Sequence, residues 1–217
     1  SPYKSPTDMG VNMAGNCIID DEICQEASRQ EIIRRYFKAL VGVADGTRRE
    51  EELNKLELLM QQEELLPTHR SVVPPARIRA DASGAAAAAI ELHDGRIVTG
   101  KAGALLGSSA AVLRNAIKDL ADIPHKELIL SPESIKPIQD LKIQYLGSKN
   151  PRLHTDEVLV ALSMLSIKDE NCRKALDQLP KLDGCQVHST VMLSEVDRKI
   201  FKKLGVGLTC DPVKKVE

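Results

Sequence analysis

The sequence predicts a mixed α/β protein in which an N-terminal helical unit precedes a sheet covered by helices. Before Pro67, apolar residues recur three, four or six positions apart, as in helices, and alternation with period two begins only after it. Residues 1–67 carry 8 basic and 13 acidic side chains, whereas residues 68–217 carry 22 and 18. We therefore predict an extended lead-in at 1–17, a helical hairpin at 18–67 and an α/β sheet domain at 68–217.

Composition indicates an ordinary globular chain and excludes two classes of partner. The 217 residues are 42% hydrophobic and 28% charged, with a net charge of −1. Nucleic-acid binding usually needs a basic excess, which is absent. No apolar run approaches the roughly 18 residues of a membrane helix, and the start lacks the pattern of a signal peptide. We expect a cytoplasmic protein that binds neither nucleic acid nor membrane.

Cysteine usage and the first residue add two expectations. The five cysteines are scattered and form no C-x-x-C pair, so we expect free thiols and no metal site. Because the chain begins at Ser1 without an initiator Met, we expect either processing or a piece of a longer protein.

Two helices are predicted in the first unit. The first extends from Ile19 to Ala44 along one apolar stripe, with Gly46 after its end. Thr47–Glu50 has the spacing of a capping box for the second helix, which Pro67 stops. The short link favours antiparallel packing of the two helices.

A β-hairpin opens the sheet domain. Segments 90–93 and 96–99 alternate apolar and polar residues around Asp94-Gly95, a dipeptide typical of type I′ turns. The alanines at 85–89 lead into the first strand, where small side chains would let a helix pack closely.

The rest of the domain alternates helices with strands. We predict helices capped by Ser108 or Ser109, starting at Asp156, near 171–179, and capped by Ser194, with strands at 128–130, 186–192 and 206–210. The helix from Asp156 is apolar nearly all round, which predicts burial. The order β-β-α-β-α-α-β-α-β implies a sheet with helices on its faces.

Two short motifs suggest chemistry that their context does not support. Segment 95–101 matches the start of a phosphate-binding P-loop, but its middle residues have a strand pattern and Ala102 stands where Ser or Thr is needed. His125-Lys126-Glu127 matches the H-x-E of zinc deaminases, whose P-C-x-x-C partner is missing. The topology resembles the three-layer cytidine-deaminase-like arrangement, but segment 108–114 cannot bind zinc.

The loop 147–157 concentrates basic and polar residues before a predicted helix. Thr155 is suited to cap that helix, and Arg152 offers a planar donor fork for phosphate or carboxylate. Basic groups beside a helix N-terminus are unfavourable unless an anion compensates them. The sequence therefore predicts an anion site formed by Lys149, Asn150, Arg152, His154 and Thr155. The alternative is a capped surface loop in which Asp156, Glu157 or a carboxylate from elsewhere supplies the negative charge.

His188 lies in a predicted strand and shares a face with Thr190 and Met192. A strand histidine beside a hydroxyl could take part in acid–base chemistry or be a hydrogen-bonded packing residue. The sequence identifies no carboxylate to orient it, so both interpretations stay open.

Segments 1–13, 30–36, 146–156 and 204–212 together resemble one bacterial family, known as domain of unknown function eighteen forty-six. The resemblance covers essentially the whole chain and implies that it is the C-terminal part of a longer protein. In that family the N-terminal part carries an α/β nucleotide-binding-like domain with a Gly-rich stretch, and a helical unit and a deaminase-like subdomain follow. The family pattern falls on Thr7, Asp8, Asn12, Lys101, Asn150, Arg152, His154 and His188. No reaction is established for the family.

Two hypotheses of function follow. In the first, the chain is part of an enzyme for a phosphorylated or nucleotide-like small molecule and lends Lys101, Asn150, Arg152 and His154 to a cleft shared with the N-terminal half. This chain then needs no cofactor of its own, and a nucleotide belongs to the full-length protein. In the second, the chain is a non-catalytic assembly module that forms homo-oligomers.

Overall fold

The computed structural model describes residues 21–214, and the chain divides into two compact units between Arg70 and Ser71. The first unit contains helix α1 (Asp21–Ala44), helix α2 (Glu50–Gln62) and a short 3-10 turn (Pro67–His69). α1 and α2 pack against each other, so the predicted helical pair is confirmed. The lead-in segment 1–17 lies outside the described residues.

The capping box predicted at Thr47 is wrong. The N-cap of α2 is Arg49, which makes no side-chain cap. The Thr47 hydroxyl instead donates to Asp45 Oδ1 at 2.5 Å, within the segment that links α1 to α2. Three glutamates in the first turn of α2 complement the helix dipole in place of a cap.

The second unit has a four-stranded sheet and six α-helices among its described residues. In chain order they are α3 (Val73–Ser83), β1 (Ala87–Glu91), β2 (Ile97–Lys101), α4 (Ser108–Leu120), α5 (Pro132–Asp140), α6 (Thr155–Leu165), α7 (Glu170–Leu176), β3 (Gln186–Ser189), α8 (Glu195–Lys203) and β4 (Gly207–Cys210). The predicted mixed α/β class is confirmed. No helix within residues 21–214 is long and apolar enough to cross a membrane.

The hairpin forms where the sequence predicts it, but its turn is of another type. Gly95 has a φ of 81°, whereas Asp94 is not in the positive-φ region that a type I′ turn requires. Leu92 N donates to Arg96 O at 2.9 Å, and Gly95 N donates to Leu92 O at 2.9 Å. This is a three-residue loop that ends in a left-handed glycine. Asp94 Oδ1 accepts from Arg96 N at 3.0 Å and so stabilises this three-residue loop.

The strand predicted at 128–130 is absent from the described sheet. Ile129 and Leu130 are buried, but backbone carbonyls in and just before this segment bond to side chains instead of to a neighbouring strand. Lys118 Nζ donates to the carbonyls of His125 and Glu127, and Cys172 Sγ donates to Ile129 O at 3.0 Å. The segment therefore folds as a loop in which Ile129 and Leu130 are buried and Leu128 is exposed.

Helix α6 is buried along one side only, which corrects the expectation of complete burial. Val158 and Leu162 are fully buried, whereas Val160 and Met164 are 59% and 70% exposed. An apolar sequence all round this helix therefore leaves an exposed apolar side.

The strands lie in the order β2-β1-β3-β4, and three of them end at the same edge of the sheet. β1 is antiparallel to β2 and β3, and β3 is parallel to β4. β2, β3 and β4 therefore run in the same direction and end at Lys101, Ser189 and Cys210. We call this the carboxyl edge.

Helices cover both faces of the sheet. Gly100 of β2 lies directly under α4 and pairs with Ala88 of β1. Ala89, which follows Ala88 in β1, packs with Val72 and Ala76 at the start of α3. Because successive strand residues face opposite sides, α3 and α4 lie on opposite faces. The sheet is thus the middle of three layers.

Replacing Gly100 with Ala is expected to destabilise the protein by about 2 kcal/mol or more, because the added methyl group overpacks this contact. Its Cβ would lie 2.3 Å from Val112 N and 2.6 Å from Ala111 C, both backbone atoms. The matched control is Gly103→Ala, where a Cβ meets nothing within 4 Å. Urea unfolding of both variants measures the difference, and equal stabilities would contradict the close packing.

Candidate functional site

The start of α4 and the start of α6 lie side by side beyond the carboxyl edge. Gly107 N donates to Leu153 O at 3.1 Å, and Leu153 N donates to Leu105 O at 2.9 Å. The segment entering α6 therefore runs parallel to the segment entering α4. This pairing brings Arg152 and His154 next to the start of α4.

Arg152 is exposed and makes no bond to an internal carboxylate among the described residues. Its Nε donates to the neutral carbonyl of Gly103 at 2.9 Å, and its backbone amide donates to Asn150 Oδ1 at 3.0 Å. Asn150 thus orders the loop with its side-chain oxygen. The terminal nitrogens of the Arg152 guanidinium have no hydrogen-bond partner within residues 21–214. Lys149 is exposed in the same loop.

The N-terminus of α6 is capped from another helix, which corrects the capping role predicted for Thr155. His154 is the N-cap, and Thr155 is the first residue of the helix. Asp197 of α8 accepts from Thr155 N at 3.0 Å and from Thr155 Oγ1 at 2.9 Å. Glu157 Oε2 accepts from His154 N at 2.7 Å. Internal carboxylates therefore supply negative charge at this terminus.

Asp197 also orients His154. Its side chain is fully buried, and its Oδ2 lies 3.2 Å from His154 Nδ1 and accepts from Ser194 Oγ at 2.9 Å. Burial opposes ionisation, but the bonds from His154, the Thr155 amide and Ser194 outweigh it and lower the pKa of Asp197. The ionised carboxylate therefore holds Nδ1 of the imidazole.

The other ring nitrogen of His154 is left open. The side chain is 27% exposed, and Nε2 has no hydrogen-bond partner within residues 21–214. A histidine with one nitrogen held by a carboxylate and the other open can accept or donate a proton. Among the site residues predicted from the sequence, it has the geometry best suited to acid–base chemistry.

His188 belongs to a separate, buried group on the α3 side of the sheet. It pairs with Ala89 of β1, and its Nδ1 lies 2.9 Å from Thr209 Oγ1. Its Nε2 lies 3.4 Å from Asp211 Oδ2, and Arg77 donates to the same carboxylate at 2.6 and 3.2 Å. Because the His188 side chain is fully buried, this arrangement favours the packing interpretation.

The remaining predicted residues do not join Arg152 and His154 in the described structure. Lys101 is exposed at the end of β2 and pairs with Ala87, which lies on the same face as Ala89 and hence on the α3 side. Thr7, Asp8 and Asn12 lie outside the described residues. Within residues 21–214, no group of three or more His, Cys, Asp or Glu side chains is placed to hold a metal ion.

Sequence patterns did not identify the carboxylates that organise both groups. In the sequence, Asp197 is marked only by its position three residues after the predicted N-cap Ser194. That cap is confirmed, because Ser194 Oγ accepts from Asp197 N at 3.2 Å. Asp211 follows the last strand and has no local pattern that marks it. The cap predicted for α4 is corrected: its N-cap is Gly107, and Ser108 and Ser109 are its first two helical residues.

Comparison with known proteins gives a family match over nearly the whole chain. The family models described as domain of unknown function DUF1846, N-terminal, and domain of unknown function DUF1846, C-terminal, match residues 1–64 and 68–217. UPF0371 proteins of Corynebacterium aurimucosum, Corynebacterium glutamicum and Streptococcus sanguinis are 56%, 55% and 47% identical over 212, 216 and 213 residues. Each match covers 98% of this chain and 43% of the relative, so the chain spans less than half the length of these relatives.

Asp211→Asn is expected to destabilise the protein at neutral pH by about 2 kcal/mol, and this loss should shrink in acid. Burial opposes ionisation of Asp211, but His188 and Arg77 lower its pKa from 3.8 to about 2. A lowered pKa contributes stability above the unfolded-state value, and that contribution disappears as the pH falls from about 4 to about 2.

Urea unfolding at several pH values measures this difference. The matched control is Asp140→Asn, which removes an exposed i,i+4 pair with Lys136 and should cost at most about 0.5 kcal/mol. A loss from Asp211→Asn that is equally large at pH 7 and below pH 3 would show that its charge does not stabilise the fold.

Proposed function

The chain belongs to the DUF1846 family, and on that premise we propose that it binds the anionic group of a phosphorylated or nucleotide-like small molecule beyond its carboxyl edge. In this proposal the chain is part of a cytoplasmic enzyme. The cleft is shared with the part of the full-length protein that precedes this chain, and that part supplies any nucleotide-binding elements. The chain itself holds no cofactor.

One observation carries the proposal. Arg152 and His154 lie two residues apart, and neither the terminal guanidinium nitrogens of Arg152 nor His154 Nε2 has a hydrogen-bond partner within residues 21–214. The described contacts of Arg152 use its Nε on a neutral carbonyl, and those of His154 use only Nδ1 and the backbone. A guanidinium fork binds phosphate through two parallel bonds. An open imidazole nitrogen beside it can transfer a proton to or from the bound molecule.

The location supports the same function. In open α/β sheets, ligands commonly bind in the crevice outside the carboxyl ends of the strands. Arg152 and His154 lie beside the helix that follows β2, and Asp197, which orients His154, belongs to the helix that follows β3. As a finer part of the proposal, the hairpin followed by α4, together with the later β3-α8-β4 unit, is a deaminase-like arrangement without zinc chemistry.

Arg152→Ala in the full-length protein is expected to weaken binding of AMP or ribose 5-phosphate at least about tenfold, the loss of one charge-assisted contact. Arg152→Lys should recover only part of the affinity, because it keeps the charge and loses the fork. Since Arg152 is exposed, stability should change by less than about 1 kcal/mol.

Isothermal titration calorimetry measures these affinities. Arg173→Ala is the control, because Arg173 is also exposed but pairs with Glu170 on α7. Unchanged affinity in Arg152→Ala, or a variant that mainly unfolds, would contradict the proposal. If wild-type full-length protein binds neither probe, a thermal-shift screen with other phosphorylated metabolites decides whether the ligand class is wrong.

A second candidate function, assembly into homo-oligomers, is favoured by exposed apolar side chains on and after α6. Val160 and Met164 are one helical turn apart, and Ile167 follows with 83% exposure. Tyr145 and Leu146, directly before the loop at 147–157, are 78% and 71% exposed. Clustered exposed apolar groups often mark protein contacts.

Met164→Lys combined with Ile167→Lys should lower the oligomeric state of the full-length protein if this face joins copies, because it buries two charges in the contact. Analytical ultracentrifugation measures the mass. Ile78→Lys, at a 67% exposed position on α3, is the control. An unchanged mass for the double variant would exclude this face as the assembly contact.

A further inference from the structure

We propose that the phosphate group of the ligand binds at the N-terminus of α4, where it accepts hydrogen bonds from the hydroxyls of Ser108 and Ser109. This inference rests on the proposed function and assigns the phosphate subsite to two serines for which the sequence predicts only a role as helix cap.

The first turn of α4 has donors that no described side chain satisfies. Gly107 is the N-cap and makes no side-chain cap, and the first turn contains no acidic residue. The first amide to bond back to the cap is that of Ala111, which donates to Gly107 O at 2.9 Å. The amides of Ser108, Ser109 and Ala110 therefore have no partner within the helix.

The two serine hydroxyls add an independent observation. Both residues are fully buried, and neither Oγ has a hydrogen-bond partner within residues 21–214. A buried hydroxyl without a partner is unfavourable, and native proteins rarely keep one without a reason. Because Cα–Cβ bonds of a helix tilt towards its N-terminus, both hydroxyls lie around the end from which the unpaired amides emerge. Hydroxyls and amides thus form one group of donors.

The neighbouring N-terminus of α6 differs because its first residue already donates to an anion. There the Thr155 amide and hydroxyl already donate to the carboxylate of Asp197. The start of α4, joined to it through the bond from Gly107 to Leu153, has no such internal anion among the described residues. Helix N-termini carry positive potential and bind anions. Of these two adjacent termini, α4 is the one that an external anion would complement.

Arg152 adds the charge that selects a phosphate. Its Nε donates to Gly103 O, in the loop that leads into α4, so the guanidinium lies close to the start of that helix. Two hydroxyls, three amides and a guanidinium are more donors than the two oxygens of a carboxylate can use well, whereas a phosphate group offers three terminal oxygens. Since solvent does not reach the hydroxyls in the free chain, the groups that cover them must move for an anion to bind.

The test compares the double variant Ser108→Ala/Ser109→Ala with wild type in the full-length protein, with inorganic phosphate, AMP and adenosine as probes. The dissociation constants of phosphate and AMP should each rise at least about tenfold, as expected for lost bonds to a charged group. Adenosine, which lacks phosphate, should bind wild type and variant equally. Ser166→Ala is the control, because its hydroxyl bonds Ser163 O on the exposed part of α6.

The outcomes separate this inference from the function on which it rests. If Arg152→Ala weakens AMP binding and the double serine variant does not, the phosphate lies elsewhere and only this inference is overturned. If neither change weakens AMP binding, both are overturned. If wild type binds neither phosphate nor AMP, this inference is overturned, and the screen of phosphorylated metabolites decides the proposed function. Should the double variant fail to fold, Ser109→Cys keeps the size and weakens the donor, so an unchanged phosphate affinity in it would overturn the inference.

Discussion

The buried carboxylate of Asp197 organises the α4 side of the sheet. Asp197 of α8 accepts from the amide and hydroxyl of Thr155, the first residue of α6. It also accepts from the hydroxyl of Ser194, the N-cap of α8, and contacts His154 Nδ1. A fully buried charge is tolerated only when it is paired and hydrogen-bonded, and these four contacts meet that requirement. They also join two helices that are more than forty residues apart in sequence and fix the ring of the histidine between them.

Local patterns predicted the elements whose causes are local. Alternation and the Asp-Gly dipeptide located the hairpin, and the Ser194 cap located α8, because neighbouring residues determine both. The errors arose where a distant or competing bond decides the structure. Segment 128–130 has a strand composition, but Cys172 bonds the Ile129 carbonyl and Lys118 bonds the Glu127 carbonyl just before the segment. Thr47 matches a capping box, but Asp45 takes its hydroxyl. The sequence cannot show such competition, because it does not show which partner is near.

The candidate site shows the same limit more sharply. Basic residues before a helix predict that an anion lies near the loop at 147–157, and at the N-terminus of α6 the carboxylate of Asp197 accepts from the Thr155 amide. Neither Asp197 nor Asp211 carries a local signal of its role, since each acts on a histidine that lies on another element. The serines at the start of α4 look like ordinary caps in the sequence. Their missing partners become visible only when burial and hydrogen bonds are known together.

The two histidines have different surroundings, one typical of packing and the other typical of a reactive group. His188 and His154 each lie against an aspartate, so charge alone does not distinguish them. They differ in what the second nitrogen does: in His188 both nitrogens contact protein atoms and the ring is fully buried, whereas His154 uses Nδ1 and leaves Nε2 open. A buried ring with protein atoms against both nitrogens stabilises packing, because a ligand would have to displace one of these contacts to reach it. A ring held on one side is oriented and still reactive. Any chemistry contributed by this chain is therefore expected on the α4 and α6 side of the sheet, where Arg152 and the unpaired serine hydroxyls also lie.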